Sequence, residues 1–175
     1  ATLSGIWQLE LATAEVTRLD TLVNLDAWNL SDLTGSRLLA LETQREASTE
    51  DPYDELLPPT TIRILDLETL DVKELLVDED RAWDRPWLDP QGNDRYVVRL
   101  WDEGNSLYLV NFDDTEIVDE NFLTDGWVLD WIDDWLVVQN ADDLSLKLVN
   151  LETKIEVPLN LPGEWSHYVG SIELN

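Results

Sequence analysis

A chain of 175 residues that is 43 % hydrophobic can bury a substantial core, as one large domain or two small ones, and is too apolar for a disordered acidic tail. Eleven basic against 38 acidic residues leave a net charge of −27, which repels phosphate backbones and anionic membranes and argues against nucleic-acid binding. The chain has no cysteine, which removes disulfides, zinc knuckles and thiol nucleophiles, and no apolar run reaches the ~20 residues needed to cross a bilayer.

In chain order the pattern is strands throughout. "IWQLEL" from Ile6 alternates apolar and polar residues, turns at Ala12–Ala14, and resumes at Val16 to Leu22. Strands are expected at Trp28 and at Arg37 to Leu41, followed by a charged, proline-rich stretch at 45–59 that reads as an exposed insertion. A hairpin follows at Thr61 to Val77, then strands at Trp87 and at Arg95 to Trp101, and a hairpin at Ser106 to Val118. Strands at Trp127–Ile132 and Trp135–Gln139 precede a hairpin at Leu144 to Val157, and the chain closes with strands at Trp165–Val169 and Ser171–Leu174. The N-terminus carries no charged segment followed by an apolar one, so no signal peptide is expected. A start at Ala1 fits a processed mature protein or an excised fragment.

Four of these segments share one template: "IWQLELATAEV" from Ile6, "IRILDLETLDV" from Ile62, "LYLVNFDDTEI" from Leu107 and "LKLVNLETKIEV" from Leu146. Each is an alternating strand, a polar turn and a second short strand, which predicts four β-hairpins. The starts lie 56, 45 and 39 residues apart, and the first interval contains the 45–59 insertion. Without it the period approaches the ~40–45 residues of a four-stranded propeller blade. A tryptophan follows each start by 22, 25, 24 and 19 residues (Trp28, Trp87, Trp131 and Trp165), a spacing suited to packing between neighbouring sheets.

"WLDPQGNDRYVVRLW" followed by "LYLVNFDD" resembles the TolB-like (PD40) β-propeller repeat, with Trp87, Pro90 and Gly92 on its first motif and Asp66, Leu67 and Thr69 on its later strand ending. The resemblance implies an all-β propeller with a tryptophan on each inner strand. Counting strands, the chain begins with the outer half of one blade and ends with the inner half of another. Pairing of the two would close a ring of four blades of four antiparallel strands and leave only short edges. A piece cut from a larger propeller is the other reading of the same count.

Motifs for chemistry are sparse. His167 is the single histidine, and there is no G-x-S-x-G elbow, Walker loop or H-E-x-x-H. Asp26, Asp84, Asp130 and Glu164 each stand just before an inner-strand tryptophan, so four carboxylates converging on a channel would suit calcium. The alternative places them at solvated loops. The acidic turns "DPQGND", "FDDTE" and "NADDLS" need no metal, because Asp, Asn and Gly are turn formers. Trp83, flanked by Arg81 and Arg85, is a candidate exposed contact together with Tyr53, with burial under the next blade as its alternative. The expected function is a non-catalytic binding or scaffolding propeller, periplasmic or extracellular, that takes a protein partner with a cationic surface and inserts in no membrane. A hydrolase using paired carboxylates is the alternative.

Overall fold

The twice-written Leu-Glu-Thr is a turn, and its chemistry is visible atom by atom. The Oδ1 of Asp66 accepts the backbone N–H groups of Glu68 (2.8 Å) and Thr69 (3.2 Å), and the Oδ1 of Asn150 accepts those of Glu152 (3.2 Å) and Thr153 (2.9 Å). Such side-chain-to-backbone bonds stabilise a turn before any tertiary contact exists. In both copies the next residue takes a left-handed conformation, Leu70 at φ 60° and Lys154 at φ 57°, and Ala14 does the same at φ 56° in the first copy.

The computed structural model describes residues 7–18, 30–46, 55–101 and 105–159, which form fourteen strands. Strands β1 (Trp7–Glu10) and β2 (Glu15–Arg18) make a two-stranded sheet. The first four-stranded sheet is β3 (Leu30–Thr34), β4 (Arg37–Glu46), β5 (Glu55–Asp66) and β6 (Val72–Asp78). The second is β7 (Trp83–Leu88), β8 (Arg95–Leu100), β9 (Ser106–Asn111) and β10 (Phe122–Asp125). The third is β11 (Trp127–Ile132), β12 (Trp135–Gln139), β13 (Leu146–Asn150) and β14 (Glu156–Leu159). All pairs are antiparallel, and each four-stranded sheet runs in chain order from one edge to the other. This is the all-β, four-sheet plan of a propeller. The expected completion of the β1–β2 sheet by Trp165–Val169 and Ser171–Leu174 lies outside the described residues.

The structure redraws three expectations. The Leu107 copy is not a tight hairpin: Asn111 donates its backbone N–H to Asp114 Oδ2 at 2.8 Å, a 3-10 turn follows at Asp119–Asn121, and the outer strand forms only at Phe122 rather than by Val118. Here Asp114 caps the turn from its far side, so the chain does not fold straight back. The arms of the 45–59 insertion continue the β4–β5 ladder, with Arg45 opposite Leu56 and Glu46 opposite Glu55. The inner strand of the first sheet is Leu30–Thr34, whereas Trp28 lies outside the described residues.

Packing follows the period-2 pattern. On β8, Tyr96 and Val98 face the first blade while Val97 faces the third, so this strand is buried on both sides. Between the first and second blades lies a cluster that includes Leu39, Ile62, Leu76, Trp83, Tyr96 and Val110. A second cluster, including Val97, Leu107, Trp131, Leu136 and Val149, joins the second and third. Trp131 is buried and Trp87 packs against the same cluster, as expected of the periodic tryptophans in described positions.

Candidate functional site

The three described inner strands each depart from regular pairing. The ladder shifts between Leu30 and Asp32 on β3, between Asp84 and Trp87 on β7, and between Val128 and Asp130 on β11. A bulge re-aims the side chains beside it and tends to occur near functional sites. Superposing the blades through their second strands matches Leu39, Val97 and Val137, whose partners are Asp32, Trp87 and Asp130. Asp32, Trp87 and Asp130 therefore occupy one structural register. Asp84 does not share it, because it sits opposite Arg99, further along the strand.

These residues border a cleft of about 270 Å³ between the inner strands. Asp32, Leu33 and Thr34 line it from β3, Trp87 and Leu88 from β7 with Pro90 just beyond, and Val128 to Trp131 from β11. Leu33 and Leu129 are exposed, so the cleft reaches solvent. Asp32 is held firmly. Its Oδ1 accepts the N–H of Leu33 and its Oδ2 the N–H of Leu88 across the seam, both at 2.8 Å. Asp130 Oδ1 accepts the N–H of Trp131 at 2.8 Å, and among the described residues no hydrogen bond reaches its other oxygen. The Trp131 indole N–H donates to the Asp133 carbonyl at 2.9 Å, which fixes that ring. No Lys, Arg or His is among the described lining residues.

The candidates read from the sequence fare differently. Asp84 is ion-paired with Arg99, whose side chain is 4 % exposed, and lies 3.8 Å from Arg85, so its charge is compensated. Asp26 and Glu164 lie outside the described residues, among which no group of three acidic or histidine side chains is placed to hold a metal. Tyr53 and His167 also lie outside them. Trp83 is not an exposed contact: it is 0 % exposed, its indole N–H donates to Asp78 Oδ2 at 2.6 Å, and its ring meets Tyr108 edge-on at 5.2 Å. Its polar neighbours cause that burial rather than oppose it. Arg81 pairs with Asp78 at 2.9 Å, donates to the Ile117 carbonyl at 2.7 Å and lies 4.8 Å from the Trp83 ring centroid. Arg85 is exposed, at φ 44° inside the β7 bulge.

The turn "DPQGND" is filled by protein groups. Asp89 accepts the Gln91 N–H at 2.8 Å, the Asn93 amide at 2.9 Å and Arg95 Nε at 2.5 Å. Burial alone would lower the Arg95 pKa, but hydrogen bonds and charge from Asp89 and Asp134 raise it. Among the described residues three carboxyls have clearly displaced pKa values, and all three move down. Burial would raise Asp78, but the Trp83 indole, two backbone N–H groups and Arg81 outweigh it. At Glu156 burial is likewise overcome, by the Thr124 hydroxyl and Lys147. Hydrogen bonds from Ser145 lower Asp143.

Sequence reasoning missed Asp32. The signal lay in "LSDLTGSRLLA" beside "VLDWIDDWLVV", which align through their second strands rather than through a tryptophan.

No protein-family model matches the chain, and no curated protein matches its sequence. Among solved structures it is similar to one described as oligogalacturonate lyase in complex with manganese, with a TM-score of 0.61 at 14 % identity over 89 % of this chain. That alignment covers 47 % of the other chain, so this chain spans about half its length. At that identity the likeness concerns the fold, and it agrees with the propeller arrangement of the sheets.

Proposed function

We propose that this protein is a non-catalytic binding propeller of TolB-like type that engages a protein partner at the inner-strand cleft. The observation carrying this reading is the use made of the site acids. Both oxygens of Asp32 accept backbone N–H groups and Asp130 is tied through one oxygen to the Trp131 N–H, an arrangement that builds a rigid surface. The net charge of −27 favours a cationic protein surface and disfavours nucleic acid and anionic lipid.

A second reading, carbohydrate cleavage, is favoured by the fold likeness to an oligogalacturonate lyase. A polyanionic sugar would approach this surface against its charge. The deciding experiment places a photo-crosslinking residue at Leu129, in the cleft, or at the exposed Val72 of β6 as a remote control. Both are exposed to the native extract, and neutral and acidic oligosaccharides are assayed in parallel with and without manganese. A discrete protein adduct from the Leu129 position alone supports binding. Oligosaccharide turnover abolished by Asp130→Asn overturns it.

A further inference from the structure

We propose that the cleft receives a single cationic side chain, lysine or arginine, presented by the protein partner, with Asp130 as its charge acceptor and Trp87 as an apolar wall. This rests on the binding reading above and adds the chemistry of what enters the site.

Size is the first argument. A volume of about 270 Å³ fits one long side chain but is small for a folded loop, given that a water occupies ~30 Å³. Lining is the second. Leu33, Trp87, Leu88 and Leu129 offer an apolar sleeve to a methylene stem, and a tryptophan face attracts a cation. Charge placement is the third. Asp32 and Asp130 are the two ionisable lining residues in described positions, and both are acidic. Asp130 is pinned through Oδ1 to the Trp131 N–H, so meeting a ligand with its other oxygen costs little further ordering.

Two alternative occupants fit less well. An anionic ligand would face both acids and a net charge of −27. A bare divalent ion would find two carboxylates, one already committed through both oxygens, and calcium takes six to eight oxygen ligands. The charge of the whole chain also steers a basic partner toward this surface before contact.

The test uses the full chain and observes the indole N–H resonances of Trp87 and Trp131 by NMR. Nine-residue peptides of otherwise neutral sequence carry arginine, lysine, norleucine or glutamate at the centre, with free arginine and spermidine as further arms. The expected result is saturable binding of the arginine or lysine peptide that moves the Trp87 resonance, with no response to the glutamate peptide. Affinity should fall at least tenfold in Asp130→Asn, which keeps an acceptor for the Trp131 N–H, and remain unchanged in Asp143→Asn, an exposed acid on a distant turn. Equal binding of the norleucine peptide overturns the cationic inference while leaving the binding reading intact. Equal losses in both variants overturn it too, because diffuse charge would then suffice. Binding of free arginine or spermidine more tightly than either peptide overturns the protein source of the cation. If no probe of any charge shifts Trp87, the cleft is not a side-chain site.

Discussion

Among the described residues, thirteen buried apolar residues lie in the seam between the first and second blades, and eight in the seam between the second and third. The first is a slab built around Trp83 and Tyr96, and polar links cross it too: Arg37 to Asp94, Lys73 to Asp113, the Trp83 indole to Asp78, the Leu88 N–H to Asp32 and the Trp83 N–H to the Thr60 hydroxyl. The second buries fewer apolar residues beside a comparable set of polar bridges. Arg95 joins Asp89 to Asp134, Gln91 reaches Asp133, and Thr124 of β10 meets both Lys147 and Glu156 of the third blade. Apolar burial does not titrate, whereas ion pairs and charged hydrogen bonds do. The two seams therefore differ in how much apolar surface they bury, with charged links in both.

The largest test of that contrast is Trp83→Ala, which empties the centre of the first seam and should cost about 4 kcal/mol, read from the urea midpoint. A loss below about 1 kcal/mol would show that the slab does not carry this seam. Arg95→Met should cost about 3 kcal/mol, because it strands Asp89, a carboxylate 1 % exposed, without its cation. High salt should leave most of that contribution in place, because the Arg95–Asp89 pair is buried and weakly screened.

Next comes Gly126→Ala, at the entry to β11. Gly126 has φ +138°, and an added Cβ would run into the Gln139 carbonyl oxygen and lie 2.7 Å from Val138 Cγ1. A loss of about 2 kcal/mol is expected, with hydrogen exchange rising first on β11 and β12.

Acid should reach both seams, since Asp78 at the first and Glu156 at the second have lowered pKa values. Glu156 has an ordinary pKa of 4.5 that is lowered in the fold, so its contribution is complete above that value and is lost as pH falls through the folded one. Stability of the second seam should therefore decline below about pH 4.5, and Glu156→Gln should flatten that limb of the melting curve. The smallest effect runs the other way. Among the described residues the buried Tyr96 hydroxyl has no hydrogen-bond partner, and burial, helped by the Asp114 charge, pushes its pKa up. Tyr96→Phe should be neutral or stabilise by about 0.5 kcal/mol, and a marked loss would reveal a partner for that hydroxyl.

Much of this was legible in the chain. Strands at Trp127–Ile132 and Trp135–Gln139 lie where alternation put them, because side-chain period and strand pleat are the same quantity. The Leu-Glu-Thr turns were legible for a related reason, since Asp66 and Asn150 bond to backbone only two and three residues away. Trp83 was harder. Its acidic and basic neighbours look like a solvated tip, yet Asp78 and Arg81 are the partners that let an indole be buried. The Leu107 copy went astray because Asp114, not a residue at the start of the turn, captures the backbone.

The sequence by itself determined the Leu-Glu-Thr turns, the repeat and most of the described strands, since those depend on residues within one hairpin of each other. Tertiary structure alone decided that Asp32, Trp87 and Asp130 share a register and border one cleft. Their inner strands reach that register through bulges, and only pairing with β4, β8 and β12 shows where each bulge lies.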